Sequence, residues 1–408
     1  MQREDVREYQ SIELPRHTLT VAEGESLWRT YGKRLGVEFP SPKTDGQWRL
    51  SAQGYVGQIQ HADKLQLWIE PKAGVANLFG MLEYAYQLDP KFRDELVGCD
   101  SIAELFERLA SILADRVLQR SRRGFYRAYV GREDRLGYVR GRIELRRQLR
   151  QVASPHLHCR FEEQTSDIDD NGILLWTLRT ILRSGVCSAR VAPKVRWAFR
   201  ALRGVASLQR YRAADCSGRD YNRLNADYQP MHCLCRFFLE HTGPAHNRGE
   251  GAMLPFLVNM NSLFEKFVAA WLSLHAPDGM TFKAHAKTQH GDDAPLTFDP
   301  DLVLTDSSGS RIAVLDTKYK TPEKPANSDV YQVISYAEAN ECTEAFLIYP
   351  EELDRPLIAE VGRICVRSIV FPIGTEIEAG GRQFLARLGA ALRVGMCPHE
   401  SAVSVRWQ

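Results

Sequence analysis

Apolar residues alternate with polar ones through the first part of the chain and then give way to helical spacing. Gly54-Tyr55-Val56-Gly57-Gln58-Ile59 and Leu65-Gln66-Leu67-Trp68-Ile69-Glu70-Pro71-Lys72 alternate with period two, and the turn-like His61-Ala62-Asp63-Lys64 between them predicts a hairpin. Ile12–Ala22 and Trp48–Leu50 add short strands, and 25–35 reads as a helix among them. The glycines at 54 and 57 suit a close backbone approach or a sheet corner. Helical spacing begins at Ala76–Gln87, with Asn77 as a candidate cap, and recurs in 101–119, 190–212 and 228–239. Phe161–Arg183 opens acidic and turns helical, with Asp169, Asp170 or Asn171 at the helix start.

The C-terminal part has a different rhythm. Leu263, Phe264, Phe267, Val268, Trp271 and Leu274 line one face of a helix over 259–274, capped by Asn259 or Asn261. A strand at 280–284 follows, then Phe298–Leu304 and Ala313–Lys320 as two strands joined by the polar loop 305–311. A helix over 329–340, strands at 345–350 and 368–372, and a helix over 381–394 complete the pattern. The glycine-rich 241–251 has no periodicity and reads as a loop at a domain boundary. The expected layout is a partner-binding region over 1–250, β-rich at 11–75 and helical and basic at 76–240, followed by a catalytic domain over 251–408.

Length and composition narrow the class. At 408 residues, two or three domains are expected. No apolar run approaches the ~20 residues that span a bilayer, and the polar start carries no signal-peptide pattern, so a cytoplasmic location without membrane contact is expected. No Gly-Lys-Ser/Thr occurs, which argues against a P-loop nucleotide hydrolase. Nine cysteines lack a disulfide rhythm, and Cys233-x-Cys235 beside His232 reads better as buried thiols than as a zinc knuckle.

The net charge of +2 conceals a basic stretch. Residues 116–150 hold twelve arginines, no lysine and three acids, with Phe125, Tyr126, Tyr129 and Tyr138 interleaved. That composition suits phosphate contact, docking of an acidic partner, or a solvated face; the exclusive use of arginine favours specific, forked contacts. Tyr138–Ile143 reads as a strand bent at Gly141.

The candidate chemistry lies in Pro300-Asp301 and Asp316-Thr317-Lys318. On adjacent strands, Asp301 stands beside Asp316, while Asp316 and Lys318, two apart, share a face. Two carboxylates and an ammonium converging in this way suit divalent-metal phosphodiester hydrolysis, although Lys318 and Asp316 can also be a plain ion pair. Glu265 in the preceding helix, and Gln332 and Tyr336 four apart in the following one, flank them.

With those flanking residues, the order resembles the PD-(D/E)xK nucleases. A narrower resemblance, to the McrC family of nuclease subunits of McrBC-type modification-dependent restriction systems, rests on Asn261–Glu265, Leu315–Lys320, Tyr331-Gln332 with Tyr336-Ala337, Gly54–Ile59, Ile69–Lys72, Arg140–Ile143, Phe161-Glu162-Glu163 and Asn171. The resemblance implies an α+β N-terminal region with a β-rich, finger-like part and helices, followed by an α/β restriction-endonuclease-like domain. It implies catalytic Asp301, Asp316, Lys318 and Glu265, supported by Gln332 and Tyr336, with Asp301, Asp316 and Glu265 holding Mg²⁺, or Mn²⁺ in its place. It also implies double-stranded DNA as substrate and a McrB-like AAA+ GTPase hexamer as partner, stimulated by the N-terminal region. The resemblance does not say which residue stimulates it; Arg140 and Arg142 are the candidates, because an arginine of the basic segment could reach a neighbour's nucleotide site. The alternative is a non-catalytic adaptor that activates such a ring.

Overall fold

The computed structural model describes residues 2–61, 64–72, 74–92, 99–149, 155–242, 256–291, 296–320, 322–374 and 376–395. Most of the predicted loop at 241–251, from 243 on, lies outside them. The chain forms two compact units, one of residues 1–105 with 256–408 and one of 106–255. Compactness therefore divides the chain differently from the expected boundary near 250. The cause is non-local pairing: Phe256–Asn259 adds antiparallel to Tyr55–His61, so the N-terminal strands share a sheet with the entry to the C-terminal part.

In the first unit, the predicted hairpin forms between Tyr55–His61 and Leu65–Glu70. Gln2–Arg7 pairs parallel to Leu65–Glu70 and completes, with Phe256–Asn259, a four-stranded sheet. Gly57 has φ +136°, and a Cβ there would lie 2.2 Å from the Phe256 carbonyl oxygen, so the expected close backbone approach is real. Ser11–Leu14, Trp48–Ala52 and Leu35–Glu38 form a separate three-stranded sheet. The helix expected at 25–35 is Val21–Tyr31 instead, fixed by a capping box between Thr20 and Glu23. Trp48, Leu27, Leu35 and Leu50 are fully buried between that helix and the sheets. The helix Val75–Tyr86 starts from Gly74, and Asn77 lies inside it rather than at its cap.

The larger sheet of this unit has six strands in the order Met280–Ala284, Leu302–Asp306, Arg311–Thr317, Glu344–Tyr349, Ile364–Val370, Ile358–Val361. The pairs Arg311–Thr317 with Glu344–Tyr349 and Glu344–Tyr349 with Ile364–Val370 are parallel, and the rest are antiparallel. The helix Asn327–Ala339 makes the crossover between the first parallel pair, packing Val333 and Ala337 against Val303, Val314, Leu347 and Val366. The helix Met260–His275 is capped as expected, the Asn259 side chain accepting from the Asn261 and Ser262 amides. It packs on Ile377–Gly395, where Gly381 lets Trp271 lie flat; a Cβ at 381 would meet the indole at 2.0 Å.

The second unit combines an exposed sheet with a helical core. Leu157–Thr165, a strand the periodicity did not predict, pairs antiparallel with Ala128–Leu136 and with Arg142–Ile143. The strand expected at 138–143 is thus only two residues long, because Gly141 turns the chain with φ +68° under the Arg160 carbonyl. Leu174, Leu178, Leu202, Leu234, Phe237 and Phe238, from the helices Asp169–Ser184, Ala192–Arg203 and Tyr228–His241, are fully buried. Asp169, Asp170 and Asn171 do not cap the first of these helices. Asp169 accepts from the Tyr211 hydroxyl, Asp170 pairs with Arg219, and Asn171 is buried against Tyr228 and the carbonyls of Tyr126 and Ser166. Cys235 is buried, and burial holds its thiol well above the ordinary range; His232, wholly buried, meets the Tyr221 hydroxyl and the Asp170 carbonyl. No helix among the described residues is long and apolar enough to cross a membrane.

Candidate active site

The expected strand Phe298–Leu304 is interrupted. Leu296–Phe298 pairs with Thr288–His290, and Leu302–Asp306 belongs to the six-stranded sheet. Pro300, which has no amide hydrogen to donate, separates them. Asp301 therefore precedes its strand rather than lying in it, yet Leu302 pairs with Leu315, which sets Asp301 beside Asp316. Its carboxylate Oδ2 accepts from the Thr317 amide and hydroxyl, both at 2.6 Å. Those two bonds fix the carboxylate against the end of the Asp316 strand.

Asp316 is 2% exposed. Strand alternation puts it on the face of Val314, the face the helix Asn327–Ala339 covers. Burial, and next the negative charge of Asp301, push its pKa from 3.8 up to about 7. Lys318 lies one residue past the strand end, with Nζ 2.5 Å from Asp316 Oδ2. That contact pairs the two charges directly and lowers the cost of burying each. Burial opposes the Lys318 ammonium, but the charges of Asp316, Asp329 and Asp301 hold its pKa above the ordinary lysine value. Its Nζ also donates to Gln332 Oε1 at 3.1 Å, and Gln332 Nε2 donates to the Tyr336 hydroxyl at 2.9 Å. The four-residue spacing on one helix face builds that chain.

Glu265 projects from the helix Met260–His275. Its pKa is raised, first by burial and then by the charge of Asp301, with Asp299 adding to it. Its Oε1 lies 3.2 Å from His285 Nε2, and His285 Nδ1 lies 3.5 Å from Asp299 Oδ1. His285 has φ +49°, and its amide donates to the Asp301 carbonyl. The structure thus brings Asp301, Asp316, Lys318, Gln332 and Tyr336 into one connected group, and joins Glu265 to it through His285 and through mutual repulsion with Asp301. His285 and Asp299 carry no periodic signal; the doubling of acids in Asp299-Pro300-Asp301 was the available cue. Among the described residues, no three His, Cys, Asp or Glu side chains gather closely enough to hold a metal unaided.

Arg140 and Arg142 belong to the sheet of the second unit. The Arg140 guanidinium covers the Phe161 ring at 4.1 Å and pairs with Glu163 at 3.3 Å, whereas Arg142 is exposed. Tyr129, Tyr138 and Val139 on the same sheet and its connection are exposed as well.

Fold and site define a mixed α/β protein with paired carboxylates and a lysine at one end of its central sheet. The chain belongs to the McrBC 5-methylcytosine restriction system component family, whose model matches residues 50–350. It is similar to the Type IV methyl-directed restriction enzyme EcoKMcrBC of Escherichia coli K12, 23% identical over a 308-residue alignment that covers 69% of this chain and 87% of that protein. Its fold is similar to a refined half-complex from a tetradecameric assembly of Thermococcus gammatolerans McrB AAA+ hexamers with bound McrC. There the TM-score is 0.58 at 17% identity, covering 95% of this chain and all of that one. Similarity to the Thermococcus gammatolerans McrBC complex is lower, at TM-score 0.44 and 20% identity over 66% of this chain and 87% of that one.

Proposed function

We propose that the chain is the nuclease subunit of a modification-dependent restriction complex, cutting double-stranded DNA through a PD-(D/E)xK site while docked on a McrB-like AAA+ GTPase hexamer. The observation that carries this reading is the buried Asp316 beside Asp301 and Lys318, with Lys318 held by Gln332. The family membership and the similarity to a McrC bound to McrB hexamers support it.

The residues fit a hard divalent cation such as Mg²⁺ or Mn²⁺. All candidate ligands are carboxylate oxygens, and among the described residues the buried Asp316 carboxylate has the Lys318 ammonium as its only counter-charge within 2.5 Å. The charge of Asp301 disfavours ionisation of both Asp316 and Glu265, and a cation beside Asp301 would relieve that repulsion. Magnesium keeps several waters, so one or two carboxylates with a third nearby suffice. When bound, the ion would supply Lewis-acid polarisation of the scissile phosphate and a more acidic water. Asp301 is pre-aimed by the two Thr317 bonds. Lys318, kept cationic by Asp316, presents an ammonium to a water or to the charge developing on phosphate. Gln332 and Tyr336 hold that ammonium in place. The exposed sheet of the second unit, with Arg142, Tyr129 and Tyr138, is the proposed docking and GTPase-stimulating surface.

The test is cleavage of a methylated plasmid by the chain with its AAA+ partner, Mg²⁺ and GTP. Loss of cleavage in Asp316→Ala and Lys318→Ala is expected, and undiminished cleavage by either refutes the site.

A further inference from the structure

We propose that Glu8 and Tyr9, in the turn after the first strand, are positioning residues for Lys318, acting through Tyr319; this rests on the nuclease reading above. Lys318 needs such support because the Arg311–Thr317 strand ends before it. Beyond that end, the backbone is held by the Lys318 amide on the Ile348 carbonyl and the Lys320 amide on the Lys318 carbonyl. Tyr319 supplies the remaining grip, and both of its polar ends go to the turn that follows the strand Gln2–Arg7. Its carbonyl accepts from the Tyr9 hydroxyl at 3.1 Å, and its own hydroxyl donates to Glu8 Oε2 at 3.3 Å.

Several features are specific to this contact. Glu8 and Tyr319 are each 3% exposed, so both polar groups are committed where water does not compete. Glu8 Oε2 also accepts from the Lys72 amide at 3.1 Å, which ties the carboxylate to the end of the neighbouring strand. Tyr9 has φ +61°, a conformation unfavourable for a residue with a side chain. Gly54 makes room for it: a Cβ there would lie 2.8 Å from the Tyr9 hydroxyl oxygen. The Tyr319 ring lies 5.8 Å from Phe264, on the helix that carries Glu265. One residue therefore links the lysine segment, the glutamate helix and the turn after the first strand.

The experiment compares Tyr9→Phe, Tyr319→Phe, Gly54→Ala, Glu8→Leu and Glu8→Gln in the full chain with its AAA+ partner. Cleavage kinetics are read together with melting temperature and with the rate at which acetic anhydride modifies Lys318, normalised to the exposed Lys43. Tyr9→Phe and Tyr319→Phe should lower kcat roughly ten- to a hundredfold, the size of a displacement of about 1 Å, with KM for DNA unchanged. Lys318 should acetylate several-fold faster in both, and Gly54→Ala should act in the same direction. Glu8→Gln, which keeps an acceptor for the Tyr319 hydroxyl, should restore most of what Glu8→Leu loses. Unchanged kcat and unchanged Lys318 reactivity in Tyr9→Phe and Tyr319→Phe would overturn the proposal. So would losses that simply track melting temperature. Absence of cleavage by the wild type would refute the nuclease reading, while the acetylation rates still decide the positioning role.

Discussion

Replacing Asp316 by asparagine should stabilise the metal-free protein and abolish its cleavage. Asp316 is almost wholly buried, and burial followed by the charge of Asp301 raises its pKa from 3.8 to about 7. An acid whose folded-state pKa is raised binds its proton more tightly when folded. Its stabilising contribution is complete below about pH 4 and is lost as pH rises through about 7. At about 1.4 kcal/mol per pH unit, that loss is at most roughly 4 kcal/mol at pH 8. The amide has nearly the same shape and no charge to desolvate. It also leaves Lys318 with less neutralisation, although Asp329 and Asp301 still face it, so a net gain of about 1–3 kcal/mol is expected. Urea unfolding of wild type and variant at pH 5 and pH 8, each with EDTA and with Mg²⁺, reads this directly. The variant should gain at pH 8, gain little at pH 5, and lack the Mg²⁺-dependent stabilisation expected of the wild type. A variant less stable at both pH values, with Mg²⁺ stabilisation intact, would refute the reasoning.

Glu8, raised to about 7 chiefly by burial, should likewise cost stability as pH rises from about 4.5 to 7, by roughly 3 kcal/mol; Glu8→Gln should flatten that slope in pH-dependent melts. Gly381→Ala should destabilise by about 1–3 kcal/mol in denaturant titration, because its methyl would enter the Trp271 indole. Gln332→Ala, which leaves Lys318 without its amide partner, should lower kcat by about tenfold with little change in KM for DNA, in steady-state cleavage assays. Arg142→Glu should weaken stimulation of the partner GTPase in a phosphate-release assay, with DNA cleavage falling in parallel.

The sequence was most legible where the signals are local. Asn259 and the apolar face of 260–275 announced a capped helix, and the four-residue spacing of Gln332 and Tyr336 placed both on one helical face. Asp316 and Lys318 were readable as partners because period-two alternation constrains them, even though Lys318 lies just past the strand. Asp301 was placed beside Asp316 correctly but on too long a strand, since the break at Pro300 was read through. The parallel pairing of Gln2–Arg7 with Leu65–Glu70, and the addition of Phe256–Asn259 to the same sheet, had no local trace, because register between distant segments is set by the assembled core. The same limit hid Glu8, Tyr9 and His285, whose partners lie far away in the sequence or at a left-handed turn. Gly54 and Gly57 were a partial clue: each marks a close approach whose partner only the fold reveals.

The central claim concerns what the Asp301, Asp316 and Lys318 group does. Its most direct test is the rate of Mg²⁺-dependent cleavage of methylated DNA, in the presence of the AAA+ partner and GTP, for wild type against Asp301→Asn. The account predicts cleavage by the wild type and a loss of at least about a hundredfold in the variant, with partner GTPase activity still stimulated. Equal cleavage by the two proteins would contradict it.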